Sequence, residues 1–196
     1  MDINSALKFM SDITISDNHE YTVDGLKVPS VSEILNVYFP PCGFYTEEGQ
    51  QDGKYRHEWY AALAQGIETT NAPYPKIAPA IDGFKKFLAD VKPVYVSGEI
   101  PYHHPTLRYC GTPDVVFRIG DRLVVTDFKP QQKNKRTRIQ TALYMLLLQA
   151  NKIPVQYRYE LRCYDGIYRF EQHEDLQDMR RAEIMVAAFH ASQFYK

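Results

Sequence analysis

The period of apolar and polar positions changes along the chain, and each change marks an element. Residues 21–28 alternate with period two about Asp24-Gly25, a pair that tolerates positive φ, so a tight hairpin is predicted there. A helix start follows at Ser30, because Ser30 and Glu33 have the spacing of a reciprocal capping box. Residues 39–53 are dense in Pro, Gly and paired acids and read as a loop. Helical periodicity returns over 54–64 and 77–89, with Ile81, Phe84 and Leu88 on one face of the second segment. From Val94 the pattern becomes extended, with strands expected over 94–100, 114–119 and 122–129. A helix over 137–151 ends before Pro154, strands over 155–163 and 167–170 meet at Asp165-Gly166, and 175–194 reads as a terminal helix. This order predicts an α/β fold in which a central mixed sheet is flanked by helices, with a helical N-terminal region, in a single domain spanning 1–196.

Composition narrows the class without naming a chemistry. The 196 residues, 44% hydrophobic and 24% charged, suffice for one sizeable core. The longest apolar run, 142–148, is far shorter than the roughly 20 residues of a membrane span. Asp2 stands where a secretory signal would carry positive charge, so neither a membrane protein nor a secreted one is expected. Cys42, Cys110 and Cys163 form no CxxC pair and are expected to be reduced thiols, too few for an iron–sulfur cluster. The net charge of −1 conceals an asymmetry: residues 1–98 hold 8 Lys and Arg against 13 Asp and Glu, whereas residues 99–196 hold 15 against 11. A polyanion site is therefore expected in the second half.

Register arithmetic supplies the candidate chemistry. If Gly120-Asp121 is a two-residue turn, Ile119 pairs with Arg122 and every cross-strand pair sums to 241, which sets Asp114 opposite Asp127 with Cα atoms ~4.5 Å apart. Like charges so placed destabilise a sheet unless a cation bridges them or one is neutralised. Lys129 shares the face of Asp127. Such a compact anionic site suits Mg²⁺ or Mn²⁺, as one or two ions, better than zinc. The run 129–138 then adds Lys129, Lys133, Lys135, Arg136 and Arg138, which read either as a solvated face or as a set of phosphate contacts beside the acids. His103-His104 is expected in a loop, since adjacent residues rarely converge on one ion.

Asp114, followed by Asp127-Phe-Lys129, resembles the signature of the PD-(D/E)XK nuclease superfamily, and Gly111-Thr-Pro-Asp114 is similar to the GxxD form of its RecB-type and phage exonuclease branch. Gly53-Lys-Tyr-Arg-His57 resembles the upstream GxxxH motif, Glu99 stands where the branch has an acid, and Gln140-Thr-Ala-Leu-Tyr144 matches QxxxY. Val28-Pro-Ser-Val-Ser-Glu-Ile-Leu35 is similar to the branch's N-terminal helix start, so the resemblance covers about residues 21–150. It implies a restriction-endonuclease-like core and a metal-dependent deoxyribonuclease, an exonuclease of phage or mobile-element type acting in DNA end processing. A structure-selective or restriction-type endonuclease and a non-cleaving DNA binder are the alternatives. Asp114, Asp127, the Phe128 carbonyl and His57 would hold the metal, Glu99 and Lys129 would join in catalysis, and Gln140, Tyr144, Lys133, Lys135, Arg136 and Arg138 would face DNA. Read alone, His57 is an ordinary structural or surface histidine, Glu99 a solvated strand end, and the Gln140/Tyr144 pair simple packing. The implied partners are DNA and a single-strand annealing or recombination protein, in the cytoplasm of a bacterial or phage-infected cell. Pro130 departs from the branch, which often has a small hydroxyl residue after its Lys.

Overall fold

The computed structural model describes residues 12–16, 18–40, 46–67, 72–130 and 134–193. A small sheet comes first, β1 (Ile13–Ile15), β2 (Tyr21–Val23) and β3 (Leu26–Val28), with Asp24 and Gly25 both at positive φ in the β2–β3 turn. β1 has too few residues for its alternation to be read in advance. Helix α1 (Val31–Tyr38) opens with the expected capping box: the Ser30 hydroxyl accepts from Glu33 N while Glu33 accepts from Ser30 N.

Helix α2 (Glu47–Ala64) corrects the reading of 39–53 as a loop, since it begins seven residues before the predicted start at Lys54. Residues 41–45 of that stretch lie outside the described residues. Thr46 caps α2 by accepting from Gly49 N, two glutamates occupy the positive end of its dipole, and Lys76 bridges Glu48 and Asp52 at 2.6 and 2.7 Å. These contacts offset the helix-weakening Gly49 and Gly53.

Helix α3 (Ala78–Val91) leads into a five-stranded sheet formed by β4 (Val94–Ser97), β7 (Val115–Ile119), β8 (Arg122–Lys129), β9 (Tyr157–Tyr164) and β10 (Ile167–Gln172). β4 stops at Ser97, not at residue 100. The strand order is β10-β9-β8-β7-β4, with β8 and β9 parallel and the other neighbours antiparallel. A mixed sheet of this kind needs a crossover between its parallel strands, and α4 (Lys135–Ala150) supplies it. The predicted β7–β8 register holds from Ile119↔Arg122 to Val115↔Thr126. A two-stranded hairpin, β5 (Tyr102–His104) and β6 (Tyr109–Gly111), lies apart from the main sheet, so His103 and His104 are strand residues and not the expected loop.

Alternate side chains of the strands feed two cores. Val116 and Val125 pack with α1, α4 and the terminal helix α5 (Gln177–Gln193). Val115, Phe117, Phe128, Leu161 and Cys163 pack with Tyr60 of α2 and with Ile81, Phe84 and Phe87 of α3. The result is a mixed α/β fold with helices on both faces of the sheet. Among the described residues Cys110 and Cys163 are free and buried, while Cys42 lies outside them. No described helix is long and apolar enough to cross a membrane.

Candidate active site

The predicted meeting of Asp114 and Asp127 lies where the β7–β8 ladder ends. Pairing stops at Val115↔Thr126, and the next step outward is made by a side chain: Asp114 Oδ2 accepts from Phe128 N at 2.6 Å. That bond fixes the Asp114 carboxylate against β8. Because the N–H and C=O of a strand residue point to the same side, the Phe128 carbonyl also faces the site.

Three elements far apart in sequence supply the rest. His57, on α2, packs edge-on against the Phe128 ring at 5.6 Å and holds Nδ1 3.8 Å from Asp114 Oδ1. Glu99 follows β4 with φ 53, a left-handed conformation costly for a residue with a side chain, and its N–H bonds to Pro113 O at 3.1 Å. The residue before it must be glycine, since a Cβ on Gly98 would sit 2.6 Å from the Asp114 carbonyl. Ligand atoms of His57, Glu99 and Asp114 all lie within 4.8 Å of one another. Asp127 sits deeper, fully buried, with Oδ2 2.6 Å from Lys129 Nζ and Oδ1 lacking any hydrogen-bond partner among the described residues.

The electrostatics show negative charge in excess. Burial pushes Asp127 up to about 6, even though Lys129 draws it down, and Asp114 pushes it further up. Asp114 is likewise raised by burial. Glu99, although solvent reaches it, is raised to about 7 by desolvation and by the carboxylates of Asp114 and Asp127. Burial holds His57 down to about 4, so at neutral pH its imidazole is uncharged and able to ligate. Lys129 remains a cation, because the pull of Asp127 and Asp114 outweighs its desolvation. A divalent ion fits this donor set of carboxylate oxygens, a carbonyl and one neutral imidazole, and it would relieve both the crowding and the orphaned Asp127 oxygen.

α4 closes one side. Gln140 Nε2 donates to Tyr144 OH at 3.2 Å, which leaves the phenolic proton free to donate. Tyr144 is buried beside Asp127 and Asp114 and held well above its ordinary titration range, so it stays neutral. A Cβ on Gly111 would lie 2.8 Å from Val31 Cγ2 and 3.1 Å from the Tyr144 ring, so the first residue of the GxxD pattern is a packing requirement. A Cβ on Gly53 would meet nothing within 4 Å.

The basic run divides. Lys135 is exposed at the start of α4, Lys133 lies outside the described residues, and Arg136 bonds to Asn36 and to the Phe39 carbonyl at 2.7 and 3.1 Å. Arg138, expected to face DNA, instead pairs with Asp175 and Asp178 at 2.9 and 3.1 Å. Asp178, buried on α5, also holds Arg158 and Arg181, so Arg138 belongs to a clamp joining α4, β9 and α5. Residues that sequence reasoning missed include Glu160 and Arg162 on β9, which stand opposite Asp127 and Lys129 in parallel register.

No protein-family model matches the chain, and no curated protein does. Among solved structures the chain is similar to the crystal structure of an alkaline exonuclease (LHK-Exo) from Laribacter hongkongensis, at 15% identity, with 84% of this chain and 87% of that one covered and a TM-score of 0.47. LHK-Exo in complex with dAMP matches at 17% identity over the same shares, with a TM-score of 0.40. The crystal structure of SSO0001 matches at 11% identity over 81% of this chain and 84% of that one, with a TM-score of 0.34.

Proposed function

We propose that the protein is a metal-dependent deoxyribonuclease of the PD-(D/E)XK type, an exonuclease of phage or mobile-element kind that processes DNA ends. The observation that carries this reading is the convergence of His57, Glu99 and Asp114 ligand atoms within 4.8 Å, beside the buried Asp127–Lys129 pair. Asp114, His57, Glu99, the Phe128 carbonyl and the free oxygen of Asp127 would hold Mg²⁺ or Mn²⁺. When bound, the ion would lower the pKa of water and polarise the phosphoryl oxygen.

The reaction is hydrolysis: the water oxygen bonds to phosphorus and releases a proton to solvent, a P–O ester bond breaks, and the leaving oxygen takes up a proton from solvent. Lys129, kept protonated by its acidic neighbours, places a positive charge beside the phosphate as negative charge grows. Tyr144, oriented by Gln140, offers its phenolic proton as a hydrogen bond to a phosphate oxygen. Lys135 and Lys133 lie near enough in sequence to the catalytic strand to neutralise the adjoining backbone.

The test compares end-labelled linear duplex with closed circular DNA in Mg²⁺. Loss of label from linear DNA with intact circles supports the exonuclease. Cutting of both forms assigns an endonuclease, and binding without cutting of either overturns the hydrolytic reading.

A further inference from the structure

Strand β10 is the outermost strand of the main sheet on the side of β9, and it turns one row of backbone groups outward. Asp165 and Gly166, which precede it, are both at positive φ, so Tyr164 and Ile167 flank a two-residue turn as a hydrogen-bonded pair. Past the other end of the strand His173 N donates to the Arg158 carbonyl at 2.9 Å, which keeps the same parity. The N–H and C=O groups of Ile167, Arg169 and Glu171 therefore face β9, and those of Tyr168, Phe170 and Gln172 face away from it. No strand or loop among the described residues pairs with the outward set. An open edge of this kind is a template for another strand.

The side chains decide which strand fits. On one face of the sheet the Phe170 ring stacks on Tyr159 at 4.1 Å and meets Phe87 at 4.9 Å, so the edge is held firmly from behind. Arg169 and Glu171 lie on the other face. Arg169 is exposed and meets the Tyr164 hydroxyl at 3.4 Å but no acid among the described residues, whereas Glu171 is half-buried beside Arg162 at 2.7 Å. Isolated charges on an edge oppose pairing, yet here a base and an acid flank Phe170 symmetrically. When two copies of β10 run antiparallel, three registers near full overlap bring outward groups to outward groups. Those centred on Arg169 or on Glu171 set like charges directly opposite one another. The register centred on Phe170 sets Arg169 opposite Glu171 twice, once on each side of the axis.

We propose that the β10 edges of two copies of this chain pair antiparallel about Phe170, forming a dimer with one continuous ten-stranded sheet. The three outward residues of each copy then exchange six backbone hydrogen bonds, with Phe170 opposite Phe170 and Tyr168 opposite Gln172 of the second copy. The main chain supplies the affinity and the charge pairs select the register. Ten strands lie within the range of open sheets. The two-fold axis runs perpendicular to the sheet, so the α4 faces of both copies lie on the same side. The two Asp127 Cα atoms then stand about 25 Å apart, across five strand spacings of ~4.8 Å and a short offset along the strands. The interface stands whether or not the protein cleaves DNA.

Sedimentation equilibrium of the full chain, from micromolar to millimolar concentration, should approach twice the single-chain mass at the upper end. Arg169→Glu and Glu171→Arg, each checked for folding by circular dichroism, should each weaken self-association by about tenfold or more, because each sets two like-charged pairs across the axis. Mixed together, the two variants should recover the wild-type affinity as a heterodimer, and the chain carrying both changes should dimerise on its own. Amide hydrogen exchange on wild type, read by NMR, needs no variant to fold: the amides of Tyr168, Phe170 and Gln172 should be protected where the dimer forms and exchange freely on dilution. A single-chain mass at every concentration overturns the proposal. So does a dimer in which those three amides exchange freely, and so does a mixture of the folded variants that associates no more tightly than either alone.

Discussion

Replacing Asp127 with asparagine should stabilise the metal-free protein while destroying its activity. Asp127 is fully buried and raised to about 6, and that value already includes the favourable pull of Lys129. A carboxyl whose folded pKa lies above its unfolded value contributes stability at low pH and loses it as the pH climbs through the folded value. The contribution is thus complete below ~4 and gone above ~7, with a loss of about 3 kcal/mol from about two units at ~1.4 kcal/mol each. Asparagine mimics the neutral form and escapes the loss. In a chain of this size 1 kcal/mol moves the melting point by ~2–4 °C, so the variant should melt as much as ~10 °C above wild type at pH 8 in EDTA. At pH 4 the two should melt together. Circular dichroism melts at both pH values provide the measurement, and differencing variant against wild type cancels the titration of groups that do not interact with Asp127, though not that of Glu99, His57 and Lys129. Divalent ions should then stabilise wild type by mass action and the variant much less. A variant that melts no higher than wild type at pH 8, or by a margin that ignores pH, would refute the claim that Asp127 is an uncompensated charge awaiting a cation.

The remaining predictions test separate parts of the molecule. Lys129→Ala should keep most of the metal-induced rise in melting point yet lose turnover, since the ammonium is assigned to the transition state; equal loss of both would make it a structural residue. Lys133→Ala with Lys135→Ala should weaken DNA binding at all sequences and flatten the salt dependence by ~0.9 per lost phosphate contact, read from binding isotherms over a range of salt. Asp178→Ala should destabilise the fold by ~3–5 kcal/mol in denaturant melts, because it strands the buried Arg158 guanidinium. Gly53→Ala should raise stability by ~1 kcal/mol, as the added methyl meets open space within a helix.

What could be read from the sequence was whatever local chemistry decides. The Gly120-Asp121 turn fixes the β7–β8 register over five pairs, which end at Val115↔Thr126, one step short of Asp114 and Asp127. The capping box at Ser30 and the turn at Asp24-Gly25 are also local, and both are present. The start of α2 was hidden because Gly49 and Gly53 are turn formers in isolation; the cap at Thr46 and the reach of Lys76 from 28 residues away decide the matter. Arg138 looked like a phosphate contact because its acidic partners stand 37 and 40 residues further on. Glu160 and Arg162 escaped notice for a related reason. β8 and β9 are joined through a crossover helix, so no turn sets their register, and charged residues alternating along β9 resemble a solvated face. The short β5–β6 hairpin carried no turn signal strong enough to separate it from the loop around His103.

The central claim, that these acids and His57 place a metal ion on a DNA phosphate, is tested most directly by sulfur substitution at the scissile bond. Sulfur in place of a non-bridging phosphate oxygen binds Mg²⁺ poorly and softer Mn²⁺ better. One phosphorothioate diastereomer should therefore resist cleavage in Mg²⁺ and recover in Mn²⁺, while the unmodified bond is cut in both. Equal cleavage of both diastereomers in Mg²⁺, or undiminished cleavage in EDTA, would contradict a metal ion at the phosphate.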